Sequence, residues 1–411
     1  MEPVTHVLTG ACLARAGFNR RAAYATLAMA IAAEFPDIDS LWGLRGPVEA
    51  LQHHRGITHT FLGLPLEAAV VVLIVYGVHR WRASRLGKRA KPVPVGDHVP
   101  IVRPLTAAPV RWGLLYLFCL VALLSHLLLD YTNNYGLRPF YPFNPHWYAA
   151  SIVFIFDPLI FVLLLIGLMA PWLFRLVGAE VGARRQRFTG TGWPRAALLL
   201  IVVLWGVRWV EHERALQLAM AQSLEAPAAA ASVDQSAEPS DAAQSKSPAP
   251  IYLQAQRALA NPDPLSLFRW YTVTDFGPVY QLERADTREQ TIEATEGTYA
   301  KAVPTPAILA AEESPLGKTY LDWSPMPILS ADSSRGALEQ AMTDAEEPAM
   351  PGGTVVTFRD PRFMGVPLWR SENGSRNGSK NGSSPLSGVV VLDRQNNVVL
   401  EELDGHLEPL R

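Results

Sequence analysis

The chain has 411 residues, 49% of them hydrophobic and only 18% charged, with a formal net charge of −2. That length admits more than one domain, and the near-zero charge supplies no basic field for nucleic acid, so no nucleic-acid partner is expected. The two cysteines, Cys12 and Cys119, lie in apolar stretches, which excludes a disulfide framework and leaves the redox compartment unread.

The first half is apolar in long blocks, and the second half reads as ordinary soluble protein. Residues 4–16 are moderately apolar, follow His6 and lack a basic leader, so they read as a retained short helix rather than a cleaved signal. A second short helix over about 22–35 is stopped by Pro36. Both fall short of the ~20 residues that a full span needs. Four longer segments, 61–79, 112–131, 152–174 and 194–210, are each about long enough to cross a bilayer.

Loop charge sets an expected orientation. Residues 80–111 carry eight basic side chains against Asp97, and 175–195 carry five against Glu180. The 132–151 loop has only Arg138. By the positive-inside rule the two basic loops face the cytoplasm, and everything after about Glu211 lies outside it. This orientation gathers ionisable groups from separate segments at one depth on the outer side: His6, Glu34, Asp37, Asp39, the run Gln52-His-His-Arg-Gly-Ile-Thr-His-Thr60, His126, Asp130 and Asp157. Such groups at membrane depth are costly and mark function. His126 and Asp130 are four apart and share one helix face. Imidazoles with carboxylates have the composition of a zinc-type site. The aromatic 131–150 loop reads as an interfacial belt, with a lid over a lipid-like substrate as the alternative.

Several stretches resemble the bacterial LexA-regulated, membrane-bound, predicted metal-dependent hydrolases. These are His6, Glu34-Phe-Pro-Asp-Ile-Asp39, His54-Arg-Gly-Ile-Thr-His59, Ser125-His-Leu-Leu-Leu-Asp130, Tyr135-Gly-Leu-Arg-Pro-Phe-Tyr-Pro-Phe143 and Phe156-Asp-Pro158. The resemblance covers roughly residues 1–175, and that family is distantly similar to zinc-dependent phospholipase C and related nucleases. It implies a divalent metal, Zn²⁺ first, held by His6, Asp37, His54, His59, His126 and Asp130. Asp39 is a bridging ligand or the carboxylate that orients a histidine. Glu34 is a general base or a supporting group, and the Arg55 fork suits a phosphate oxygen. Asp157 orders the site or pairs with Arg138. His53, His79, His98, His212 and His406 are not expected as ligands, whereas His146 lies in the aromatic loop beside Trp147, within reach of a substrate.

After the last apolar segment, residues 226–250 are rich in Ala, Ser and Pro and read as a linker. Residues 251–260 read as a short helix ended by Asn261-Pro262. Strands are expected over 268–274, 279–283, 354–358, 388–393 and 398–403, the last two joined at Gln395-Asn396-Asn397. Asn-Gly-Ser repeats at Asn373, Asn377 and Asn381 mark a low-complexity loop.

The expected architecture is a mainly α, multi-pass transmembrane bundle (1–212), a linker (213–250) and a small extracytoplasmic antiparallel β or α+β domain (251–411). The expected function is a metal-dependent hydrolase of the inner membrane, acting on a phosphoester of a lipid or lipid-linked substrate. The alternative is a metal-binding sensor or a transporter that uses the same side chains. Membrane lipids are the expected partners, and no protein partner is legible.

Overall fold

The computed structural model describes residues 2–89, 108–180, 190–225, 252–344, 352–364 and 385–408. Of the expected linker over 213–250, residues 213–225 are instead the end of a helix, Gly192–Met220, and a strand, Ser223–Glu225; residues 226–250, the Asn-Gly-Ser repeats, and residues 90–107 and 181–189 of the two basic loops lie outside the described residues. The chain divides into two compact units, Met1–Trp209 and Val210–Arg411.

The first unit is helical. Helix α1 (Pro3–Arg15) is capped by Glu2, whose carboxylate accepts from the Val4 and Thr5 amides. Helix α2 (Ala25–Glu34) stops where Pro36 withdraws a donor, and the chain tightens into a 3-10 segment, Phe35–Leu44. Then come α3 (Pro47–His53), a 3-10 turn (Ile57–His59), and α4 (Leu64–Arg89), α5 (Trp112–Thr132), α6 (Pro158–Glu180) and α7 (Gly192–Met220).

Helix α2 packs against α1, α4 and α5, and Met29, Ala32, Val71, Cys119 and Leu123 are buried in that core. The approach of α1 to α2 depends on Gly10, where a Cβ would stand 2.7 Å from the Ala33 Cβ and collide with the Met29 carbonyl. His6 lies one turn before Gly10 on the same face of α1, so this contact delivers it beside the end of α2. A second core joins α1, α5, α6 and α7 through Cys12, Leu129, Ile160, Leu164 and Ala197.

Among the described residues, three helical stretches are long and apolar enough to cross a membrane: Leu64–Arg85, Trp112–Thr132 and Gly192–Met220. The apolar part of α6, Pro158–Phe174, is shorter. Residues 152–157 do not begin that helix as expected. Asp157 instead caps it, its Oδ1 accepting from the Leu159 and Ile160 amides at 3.0 and 3.1 Å. The predicted pairing of Asp157 with Arg138 is also corrected, because its Oδ2 lies 2.8 Å from Arg208 Nη2 on α7, both side chains being fully buried.

The second unit is β-rich. Strands β1 (Ser223–Glu225) and β2 (Tyr252–Gln254) form an antiparallel ladder. Strands β3 (Arg257–Pro262), β4 (Arg269–Asp275), β5 (Val279–Asp286) and β6 (Thr291–Ala300) make an antiparallel meander. Helices α8 (Pro306–Glu313), α9 (Pro315–Trp323) and α10 (Arg335–Asp344) accompany a five-stranded sheet. Its strands are β7 (Ile328–Asp332), β8 (Thr354–Arg359), β9 (Gly388–Leu392), β10 (Val398–Leu403) and β11 (His406–Leu407). The two larger sheets share a core of Val273, Leu282, Met326, Ile328 and Met364.

The expected helix over 251–260 is instead β2 and β3. Leu259 and Asn261 pair with Val273 and Tyr271 across the sheet, and that long-range pairing overrides the local preference. The five expected strands coincide with β4, β5, β8, β9 and β10, and Asn396 turns the β9–β10 hairpin at φ 62°.

Candidate metal centre

Four side chains converge where the 3-10 segment, the Ile57–His59 turn and the C-terminal end of α5 meet. One ligand atom each from Asp37, His59, His126 and Asp130 lies within 4.8 Å of every other. The two Nε2 atoms of His59 and His126 are 3.0 Å apart. His59 Nε2 is 3.3 Å from Asp37 Oδ1 and 3.4 Å from Asp130 Oδ2. His126 Nε2 is 3.7 Å and 3.4 Å from the same two oxygens.

The tautomers follow from the outer faces of the rings. His126 Nδ1 lies 2.7 Å from the Ala33 carbonyl, which only accepts, so Nδ1 carries the hydrogen. His59 Nδ1 faces Asp39 Oδ2 at 3.1 Å, with Thr58 Oγ1 at the same distance. Both Nε2 lone pairs are thereby turned on each other at 3.0 Å, an arrangement that calls for a proton or a cation between them. Burial works against a charge on His59, but hydrogen bonds to Asp130, Asp37 and Asp39 outweigh it and raise the imidazole to about 10. Burial likewise opposes the charges on Asp37 and Asp39. Hydrogen bonding from His59 to Asp37, and from His54 and His59 to Asp39, holds both carboxyls below the usual range.

The donor set fits a small divalent ion. Four ligands at ~2.0–2.1 Å from a tetrahedral zinc stand roughly 3.3 Å from one another, and the five separations above run from 3.0 to 3.7 Å. Asp37, Asp39 and Asp130 bring three negative charges, and Arg55, 2.9 Å from Asp130 Oδ1, returns one. A buried pair of lone pairs inside a net negative cage is the environment such an ion neutralises.

The remaining expected residues fall around these four. Asp39 orients His59 and also accepts from the Arg55 amide at 2.7 Å, Thr58 Oγ1 at 3.2 Å and His54 Nδ1 at 3.2 Å. Of its two expected roles, this geometry is that of the orienting carboxylate. His54 is not in the group of four; its ring meets Asp39 and Tyr135. His6 is not in it either, but stacks on His126 at 3.8 Å with Nε2 3.4 Å from Asp130 Oδ1. Glu34 is half-buried beside Asp37 in sequence, and its Oε2 has no hydrogen-bond partner among the described residues.

Arg55 is 4% exposed. Its fork is taken by Asp130, by Asn133 Oδ1 at 3.2 Å and by the Gly136 carbonyl, and it lies over the Tyr135 ring at 4.7 Å. It holds φ 53°, a left-handed conformation that is uncommon for a non-glycine. Arg138 reaches back from the following loop to the Gln52 and His54 carbonyls at 2.9 and 3.4 Å, its guanidinium over Trp147. Two arginines thus clasp the 52–56 turn to the 133–138 loop from opposite sides. His146 lies in the exposed part of that loop against Tyr148.

Sequence reasoning passed over Thr58, Asn133 and Glu67. Asn133 is fully buried. It donates to Asp130 at 3.2 Å and accepts from the amides of Tyr135 and Gly136; an Asn three residues after a helical Asp and before a Tyr-Gly pair is a turn signal that would have found it. Glu67 is a buried acid on α4 whose Oε2 has no hydrogen-bond partner among the described residues. Its signal was a lone carboxylate in an otherwise apolar span.

Fold and site together define a helical membrane protein with a buried imidazole–carboxylate centre beside the ends of its helices. The family model of the YdjM inner membrane proteins matches residues 1–215, and the chain belongs to that family. It is also 25% identical over 170 residues to the uncharacterized protein YfhP of Bacillus subtilis (strain 168). That match covers 39% of this chain and 43% of the relative, so the chain spans less than half of that protein's length. No solved structure matches.

Proposed function

We propose that this is a membrane-embedded, metal-dependent hydrolase of a phosphoester in a lipid or lipid-linked substrate, with Zn²⁺ as its ion. The observation that carries the reading is the convergence of His59, His126, Asp37 and Asp130, one donor atom of each within 4.8 Å of the others, with both imidazoles held in the ligand tautomer from behind. A divalent ion held there supplies Lewis-acid chemistry at neutral pH. Asp39 and Ala33 keep the two rings aimed, and Arg55 balances Asp130 while fixing its second oxygen toward them. Asp37, at 17% side-chain exposure, is the most open of the four and marks the side from which a substrate arrives. Glu34, three residues before it and with an unpartnered oxygen, is placed to take or give a proton. The His-x-x-x-Asp pair on α5 among further His and Asp residues is also what the likeness to zinc-dependent phospholipase C rests on.

In the same reading the second unit is extracytoplasmic, which reporter fusions after Arg89 and after Ala260 test by giving opposite signals. The central experiment is metal analysis of detergent-purified protein, followed by a panel of phosphoesters. Wild type should hold zinc. His59→Ala, His126→Ala and Asp130→Asn should each lose it, and His79→Ala should not. Wild-type stoichiometry in all four variants makes the cluster structural. Bound metal without turnover of any ester leaves the sensor or transporter alternative.

A further inference from the structure

Six large apolar side chains stand exposed around the centre. Leu41 and Leu44 are on the 3-10 segment that carries Asp37, Ile57 is in the turn that carries His59, and Phe61 follows directly. Phe140 and Phe143 come from the loop that carries Arg138. Leu44 is 87% exposed and Phe143 86%. We call these six the rim; two of its sides meet where the Phe61 amide donates to the Pro139 carbonyl at 3.0 Å and the Phe61 and Phe140 rings approach to 5.5 Å. The rim is continuous with a membrane-facing surface: Phe61 leads into α4, whose Leu66 and Leu73 are similarly exposed. Beside it Trp42 lies between Arg45, 4.6 Å above its ring, and His53, stacked at 4.1 Å. Such an aromatic–basic group belongs at the boundary between lipid and water. Apolar side chains exposed together around one site need a covering, and the passage of the rim through Phe61 into α4 points to lipid.

We propose that the rim lies in the acyl-chain layer on the cluster's side of the membrane and is occupied by the hydrocarbon chain of a membrane lipid. The polar head of that lipid then meets Asp37 and His54 from the side and not from bulk water. The depth of the rim stands by itself; the lateral entry of a substrate rests on the hydrolase reading.

The test uses the full chain in phosphatidylcholine–phosphatidylglycerol vesicles, with the buried Cys12 and Cys119 replaced by alanine. Spin labels at Leu44→Cys and Phe143→Cys are compared with Leu73→Cys as the lipid reference and Gln52→Cys as the water reference. Labels at 44 and 143 should collide with oxygen, as at 73, and be shielded from a water-soluble nickel chelate. Nickel access equal to that at 52 overturns the proposal, and so does shielding from both probes, which would mean a protein covering. In the second arm, Leu44→Ser with Phe143→Ser should lower turnover of a long-chain phosphoester in vesicles on the order of tenfold, what about two buried methylene groups are worth. Turnover of a short-chain soluble ester should be unchanged, and equal loss for both esters overturns lateral entry. If wild type turns over neither, the hydrolase reading and lateral entry fail together, while the label depths still decide where the rim lies.

Discussion

Asp157→Asn isolates the charge of the buried pair with Arg208. The amide oxygen can still accept from the Leu159 and Ile160 amides, so the cap on α6, worth ~1 kcal/mol, stays. What disappears is a negative charge 2.8 Å from Arg208 Nη2, in a place that no solvent reaches. At an effective dielectric constant of ~20, unit charges that close attract by about 6 kcal/mol. Desolvation of both groups offsets part of this, and removing one partner of such a pair costs about 3–5 kcal/mol. Arg208→Met should cost less, because Asp157 keeps its two backbone donors. The double variant removes both charges, so the two losses should fail to add by about 2 kcal/mol. Equilibrium unfolding in mixed micelles of the four proteins measures this directly. Losses that add to within ~0.5 kcal/mol would show that the two groups do not stabilise each other.

Asp39→Asn should lower zinc affinity by about 10–100-fold without abolishing binding, since it loosens the orientation of His59 but removes none of the four converging donors. Competition with a chelator reads this, and complete loss would make Asp39 a ligand. Gly10→Val should separate α1 from α2 and destabilise the first unit by about 1–3 kcal/mol, read by equilibrium unfolding in mixed micelles; wild-type stability would refute the close crossing. The metal-free protein should lose stability as pH rises. His59 has its pKa raised on folding, so its contribution is complete below an unfolded value of ~6.5 and is lost as pH climbs through about 10. Zinc binding should strengthen over the same window and release protons at pH 7, measured by calorimetry in buffers of different ionisation enthalpy. A metal-free melting temperature that rises between pH 7 and 10 would contradict the sign.

The parts of the site that were legible in the sequence are those with local geometry. His126 and Asp130 read as a pair because helix periodicity alone puts them on one face. Asp37 and Asp39 read as site carboxylates just past a helix end because Pro36 stops the helix before them. The order of the layers around His59 was not legible. Asp39 lies behind the ring and Asp37 in front of it, and that depends on how the 3-10 segment packs against a turn some twenty residues later. The partner of Asp157 was missed for a similar reason. Arg138 is nearer in sequence, but its guanidinium is drawn to the Gln52 and His54 carbonyls and to aromatic faces of its own loop, and the apolar stretch of α7 holds the other cation. In the second unit, alternating strands were visible where valine and aromatic residues repeat. Residues 251–260 looked helical because the pairing partners in β4 and β1 that make 252–260 strands lie elsewhere in the chain.

The short ladder of β1 with β2 has a consequence for how this protein can change. The chain leaves at Glu225 and returns at Tyr252, and those two residues are register partners, so the ends of the intervening stretch are held about 4.7–4.9 Å apart, one strand spacing. Whatever is inserted between them begins and ends at neighbouring points on one surface. Doubling the length of such a closed stretch costs only about 0.6 kcal/mol in closure entropy. The 226–251 interval is therefore a socket: it can drift in length and composition between relatives, or accept a whole foreign domain with adjacent termini, while β3 to β6 keep their register.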